Sequence, residues 1–140
     1  MESRLFLVLR NDLSELERLS QEVSAWCGVN AVSAEAEYQV NLALDEIVSN
    51  VIRHGWKDGG EHQLQVSLSC AGNGLRVEVE DDAPPFNPLE APAPDITKPL
   101  EERPIGGLGI HLVRQIMDGL EYRRQDGKNF LVMKRELVGK

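Results

Sequence analysis

All seven prolines of the chain fall between Pro84 and Pro104, in the run DDAPPFNPLEAPAPDITKPLEERPIGG. A proline has no backbone N–H to give to a helix or a ladder, and it pushes the preceding residue out of the helical region. Regular structure is therefore disfavoured from about residue 82 to 105, and the chain must fold from what lies on either side. A loop of that length inside a small domain is unusual and often serves as a lid or binding segment; a plain surface excursion fits the same composition. The 140 residues, 41% of them hydrophobic, are enough for one domain (1–140) with its own core.

The flanking segments carry clear periodicities. Arg4–Arg10 reads as a strand, and Asn11-Asp12 interrupts it. Asp12, three residues before Glu15, predicts a helix N-cap, with Leu13, Leu16, Leu19, Val23 and Trp26 on one face and Gly28 as the stop. A longer helix from Ser33 to about Gly55 places Val40, Leu44, Ile47, Val48 and Val51 at helical spacing. Leu64–Cys70 and Leu75–Glu80 then alternate with period two around Gly72-Asn73-Gly74, a hairpin signal. Beyond the proline window, a helix over about Leu108–Asp118 precedes strands Glu121–Gln125 and Asn129–Arg135, joined at Asp126-Gly127. The order β-α-α-β-β, loop, α-β-β predicts an α/β two-layer sandwich: a mixed, mostly antiparallel sheet with helices on one face.

Charge removes several function classes. Fifteen Lys+Arg against 23 Asp+Glu leave a formal charge of −8, which argues against nucleic acid and against an anionic membrane surface, since both need a basic face. The early apolar run Leu5–Leu9 is too short for a signal peptide or a spanning helix. Cys27 and Cys70 are isolated, so neither a zinc site nor a disulfide framework is indicated. The expectation is a cytoplasmic protein.

Three patterns could carry chemistry. Glu46, Asn50 and His54 recur every four residues, so they form one stripe at the edge of the apolar face of the long helix. A half-desolvated carboxylate beside an amide oxygen suits a general base next to a Mg²⁺ ligand; solvated polar positions of an amphipathic helix would look the same. Asp81 ends the third strand, where a carboxylate can accept from an exocyclic amine such as that of adenine, or can simply start a turn. Gly106-Gly107-Leu108-Gly109 opens the third helix, where glycine permits close backbone approach and free N–H groups favour phosphate; a tight connection also fits.

Taken in order, a Glu-x3-Asn helix, a hairpin ending in Asp, a proline-rich loop and a Gly-Gly-x-Gly helix start resemble the GHKL ATPase/kinase superfamily, the Bergerat fold. The single-domain architecture looks most like the bacterial anti-sigma-factor serine/threonine kinases, and the resemblance runs from Leu5 to Arg135. It implies that Glu46 is the catalytic residue, as general base or nucleophile-orienting group, Asn50 the Mg²⁺ ligand and Asp81 the adenine acceptor. Gly106, Gly107, Leu108 and Gly109 would wrap the triphosphate of ATP, and the segment of about 82–105 would be the ATP lid, with Phe86 near its base. Ala83 and Pro85 stand where the family's first glycine box keeps glycine; a positive φ at Ala83 would cost about 1 kcal/mol or more. His54, Arg103 and His111 receive no role.

The implied activity is an ATP- and Mg²⁺-dependent protein serine/threonine kinase acting as an anti-sigma factor or partner-switching regulator of transcription. Its implied partners are a sigma factor and a STAS-domain anti-anti-sigma protein, with no nucleic acid or membrane, and the resemblance admits a homodimer. The departures at Ala83 and Pro85 motivate an alternative: a non-catalytic nucleotide-binding module that only sequesters a protein. Plain ATP hydrolysis is a third reading, which free phosphate in excess of protein phosphorylation would favour.

Overall fold

A computed structural model describes residues 3–90 and 107–137. β1 (Ser3–Arg10) leads into two helices, α1 (Glu15–Val29) and α2 (Ala34–His54). The hairpin β2 (Gln63–Ala71) and β3 (Gly74–Asp81) follows, then a short 3-10 turn at Pro88–Glu90, α3 (Gly107–Ile116), and the hairpin β4 (Gly119–Gln125) and β5 (Lys128–Glu136). The strands form one five-stranded sheet in the order β1-β2-β3-β5-β4. All four pairings are antiparallel, so the sheet is not mixed as expected. The reason lies in the second hairpin, which docks on β3 through its returning strand β5 and so keeps neighbouring chains opposed.

Local chemistry accounts for the elements. The Ser33 hydroxyl accepts from the Ala36 N–H at 3.1 Å and caps α2, whose first turn carries Glu35 and Glu37 and whose last carries Arg53 and His54, matching the helix dipole. The β4–β5 turn places Asp126 (φ 53) and Gly127 (φ 77) in the left-handed region that a two-residue hairpin loop requires.

The first helix departs from expectation at both ends. Asp12 does not cap it: Asp12 Oδ1 accepts from the Ser14 N–H at 2.9 Å, Ser14 occupies the cap position without a side-chain bond, and Glu15 is drawn back to the Arg10 N–H (3.0 Å) and the Arg18 guanidinium. Gly28 is not the stop either. The helix continues to Val29, Asn30 Nδ2 donates to the Trp26 carbonyl at 2.9 Å, and the left-handed residue is Ala31 (φ 55).

Cross-strand register decides what faces the helices. Leu7, Val66, Val79, Leu131 and Tyr122 form one row, because each pairs with the next across the sheet. The adjacent row runs Leu9, Leu64, Asp81, Asn129 and Arg124. Leu9, Leu64, Val66 and Val79 are buried together with Val40, Leu44, Ile47 and Val48 of α2 and with Ile110, Val113 and Met117 near α3. Two rows that begin as hydrocarbon thus end in polar side chains beneath the C-terminal half of α2. No helix among the described residues is long and apolar enough to cross a membrane.

Candidate functional site

That polar end of the sheet opens into a cleft between α2 and the strands β3, β4 and β5. Its walls are Ile47, Val51, Val79, Leu131 and Pro88, and its polar groups include Asn50, Asp81 and Asn129. A cleft that is mostly aliphatic with a few placed polar groups suits a flat organic ligand.

Asp81 is only 7% exposed. Its Oδ1 accepts from the Ala83 N–H at 3.0 Å and from Asn129 Nδ2 at 2.9 Å, while its Oδ2 bonds no described residue. Burial pushes its pKa above the ordinary carboxylate value; the bonds from Asn129 and Ala83 pull the other way, Asp82 adds to the rise, and Arg124 opposes it. The result is a carboxylate with one oxygen held by the protein and the other, among the described residues, left to accept from a ligand N–H. Asp82 turns away to accept from the Trp56 indole at 3.1 Å.

Ala83 does not carry the expected strain. The only non-glycine residues with positive φ among those described are Ala31 and Asp126, so Ala83 adopts ordinary backbone geometry and fills a buried place in the cleft wall. Its carbonyl accepts from Arg124 Nη1 at 2.8 Å and from Asn129 Nδ2 at 3.2 Å. Pro85 is exposed and Pro84 lines the cleft. The missing glycines are therefore accommodated by backbone that never enters the left-handed region.

Asn50 and Asp81 line the same cleft. Asn50 is half-buried, and its amide bonds no other described residue. Glu46, one turn earlier and also half-buried, lies against the start of α3: a side-chain carbon added at Gly109 would overlap its carboxylate. Glu46 thus stands beside the N-terminal turn of α3, the positive end of that helix's dipole. Residues 91–106, with Arg103 and Gly106 among them, lie outside the described residues, as do the side chains of Gly107 and Leu108. His54 is exposed at the end of α2, and His111 contacts Gln115 at 3.2 Å; neither lines the cleft. Among the described residues no group of three or more His, Cys, Asp or Glu could hold a metal. A Mg²⁺ ion that keeps water and phosphate ligands needs only one or two protein oxygens, and the unengaged amide of Asn50 fits that role.

Sequence reasoning missed Asn129, Tyr122 and Arg124. The signal was there for Asn129: it shares the inward parity of Leu131 and Met133, and a polar side chain at a buried strand position needs a partner. That its partner is Asp81, 48 residues away, follows only from the β3–β5 register.

Residues 9–135 match the family model described as the histidine kinase-like ATPase domain. Serine/threonine-protein kinase BtrW of Bordetella bronchiseptica is 27% identical over 101 residues, covering 72% of this chain and 71% of that protein. Serine-protein kinase RsbW of Bacillus anthracis is 30% identical over 103 residues, 68% of this chain, but the match spans only 61% of the relative's length. In three dimensions, the crystal structure of the RsbU and RsbW domains of a Mycobacterium tuberculosis protein superposes with a TM-score of 0.70 at 14% identity, covering 96% of this chain and 32% of that one. The histidine kinase domain of a blue-light activated kinase from Erythrobacter litoralis gives a TM-score of 0.57 at 19% identity over 89% of this chain and 60% of that one. Matched over nearly its whole length, and with Asn50 and Asp81 lining one cleft, the chain belongs to the histidine kinase-like ATPase domain family.

Proposed function

We propose that this protein is an ATP- and Mg²⁺-dependent serine/threonine protein kinase that acts as an anti-sigma factor in a partner-switching circuit. The observation that carries the reading is the shared cleft of Asn50 and Asp81, with Glu46 one turn away against the start of α3. The unpartnered Oδ2 of Asp81 accepts from the adenine amino group, and Ile47, Val51, Val79 and Leu131 cover the ring. The triphosphate extends toward Gly106, Gly107, Leu108 and Gly109, whose backbone N–H groups and helix dipole favour anionic oxygens. Asn50 offers its amide oxygen to Mg²⁺, which when bound neutralises charge on the phosphates.

Glu46 orients a serine or threonine hydroxyl and takes its proton. The hydroxyl oxygen bonds to the γ-phosphorus, the bond from that phosphorus to the β,γ-bridging oxygen breaks, and ADP leaves with the electron pair. The work is positioning and charge stabilisation rather than covalent catalysis by the enzyme. The names of the relatives, serine and serine/threonine protein kinases, support a protein hydroxyl as phosphoryl acceptor; by the family resemblance the acceptor is a STAS-domain anti-anti-sigma protein and the alternate partner a sigma factor, in a cytoplasmic setting. Residues 1–140 act as one catalytic domain, the proline-rich segment 82–105 serves as its lid, and two copies can pair.

The test is incubation with labelled ATP, Mg²⁺ and a STAS-domain partner, with Glu46→Gln in parallel. Transfer to the partner that is lost in Glu46→Gln, with ADP binding retained, is the expected result. ATP binding without transfer by the unaltered chain would leave a sequestering module and defeat the kinase reading.

A further inference from the structure

The proposed reaction makes no direct use of Asn129, yet this side chain is the most heavily bonded group at the cleft. Its Oδ1 accepts from the Tyr122 hydroxyl at 2.5 Å and from the Phe86 N–H at 3.4 Å. Its Nδ2 faces Asp81 Oδ1 at 2.9 Å, the Ala83 carbonyl at 3.2 Å and the Pro84 carbonyl at 3.1 Å. A backbone N–H can only donate and a backbone carbonyl can only accept, so main-chain groups on both sides fix which way the amide points. A flipped amide would set NH₂ against N–H and oxygen against two carbonyls.

With the amide fixed, Asp81 has no freedom of its own. Its Oδ1 is held by Asn129 Nδ2 and the Ala83 N–H, while Oδ2 bonds no described residue. We propose that Asn129 is a positioning and specificity residue: by holding one oxygen of Asp81 it presents the other as a pure acceptor, so that the site takes a purine bearing an amino group and rejects one bearing a keto group there. This inference rests on the nucleotide reading above. A keto oxygen set against an ionised carboxylate leaves two acceptors facing each other, and an unpaired buried polar group is far costlier than a lost contact.

The bond from Asn129 also stabilises the ionised form of Asp81 against its burial. The other charged groups near Asp81 are Asp82 and Arg124, with Glu61, His62, Glu80 and Lys128 on the side away from the purine cleft. Removing the amide therefore raises the pH at which Asp81 takes up a proton.

The experiment measures binding of ADP and of GDP, each with Mg²⁺, by titration calorimetry between pH 5 and 8. It uses the full chain and the variants Asp81→Asn, Asn129→Leu, Asn129→Thr and His62→Gln, with a thermal melt for each. The unaltered protein is expected to prefer ADP. In Asn129→Leu, ADP affinity falls about tenfold while GDP changes little, and the acid limb of ADP binding moves to higher pH. Asn129→Thr, which keeps a hydroxyl donor, recovers part of both effects, and His62→Gln leaves the acid limb in place. A purely structural role would weaken ADP and GDP alike and leave the limb unmoved, and that result overturns the proposal. Should Asn129→Leu fail to fold, the ADP-to-GDP ratio and acid limb of Asn129→Thr decide: unchanged values overturn it. Failure of the unaltered chain to bind ADP defeats the nucleotide reading and this inference with it. ADP binding that is lost in Asp81→Asn but indifferent to position 129 defeats this inference alone.

Discussion

Gly109→Ala separates the stability of the fold from the geometry of its site. A methyl at this position lands on the Glu46 carboxylate, whose carbon would lie 2.8 Å away. The obstacle is the far end of a flexible, half-buried side chain rather than backbone, so the clash is relieved by swinging the carboxylate aside. Alanine in place of glycine gains up to about 1 kcal/mol in a helix, and forcing Glu46 about 30° off its rotamer costs about 0.5–1.5 kcal/mol. These nearly cancel, so the melting temperature should move by no more than about 4 °C. Catalysis has no such compensation. Misplacing a positioned group by about 1 Å costs roughly a hundredfold, and a general base contributes about 10²–10⁴ in rate. Gly109→Ala should therefore melt like the parent by circular dichroism, bind ADP within about threefold by calorimetry, and transfer phosphate to a STAS-domain partner about a hundredfold more slowly. Transfer at the parental rate would refute the opposition of Glu46 and Gly109 as the source of catalytic geometry. A loss of more than about 3 kcal/mol in stability would refute the compensation, since it would mean the methyl meets something that cannot yield.

In Asp81→Asn the amide oxygen can keep both bonds now made by Oδ1 while the buried charge disappears. Because burial raises the folded-state pKa of Asp81, its favourable contribution is complete below the ordinary carboxylate pKa and is lost as pH rises through the raised value. Asp81→Asn should thus melt no lower than the parent at pH 7, with its advantage vanishing in acid, while ADP binding is abolished; a clear drop in melting temperature at pH 7 contradicts this. Glu15 behaves oppositely: bonds from the Arg18 guanidinium and the Arg10 N–H hold its pKa at about 2, so its contribution is present above about 4.5 and disappears as pH falls toward 2. Because the Arg18 side chain is about half exposed the effect is screened, and Glu15→Gln should cost about 1 kcal/mol in urea unfolding at pH 7 and nothing at pH 2. Ala31→Gly, which relieves a φ of 55 just after α1, should raise stability by about 1 kcal/mol, read from the same urea titration.

Much of this protein was legible along the chain. Period-two runs in 64–70 and 75–80 became β2 and β3, and the spacing of Val40, Leu44, Ile47 and Val48 became the buried face of α2. The stripe of Glu46 and Asn50 and the strand-end position of Asp81 were equally plain, because each depends on neighbours within a turn of helix or a step of strand. The ends of α1 were not, since Glu15 is claimed by Arg10 and Arg18, and Asn30 with Ala31 close the helix after Gly28 has passed.

Sequence alone determined which segments are helix and strand, where the proline window interrupts them, and which polar residues stand at the edges of apolar faces. Tertiary structure decided that β5 rather than β4 pairs with β3, and hence that Asn129 stands opposite Asp81. It also decided that Ala83 needs no left-handed backbone and that Glu46 meets Gly109. Periodicity is imposed by bonds between near neighbours and is written locally. Register and opposition are settled only when distant segments compete to bury the same surface, and no short stretch of sequence contains that competition.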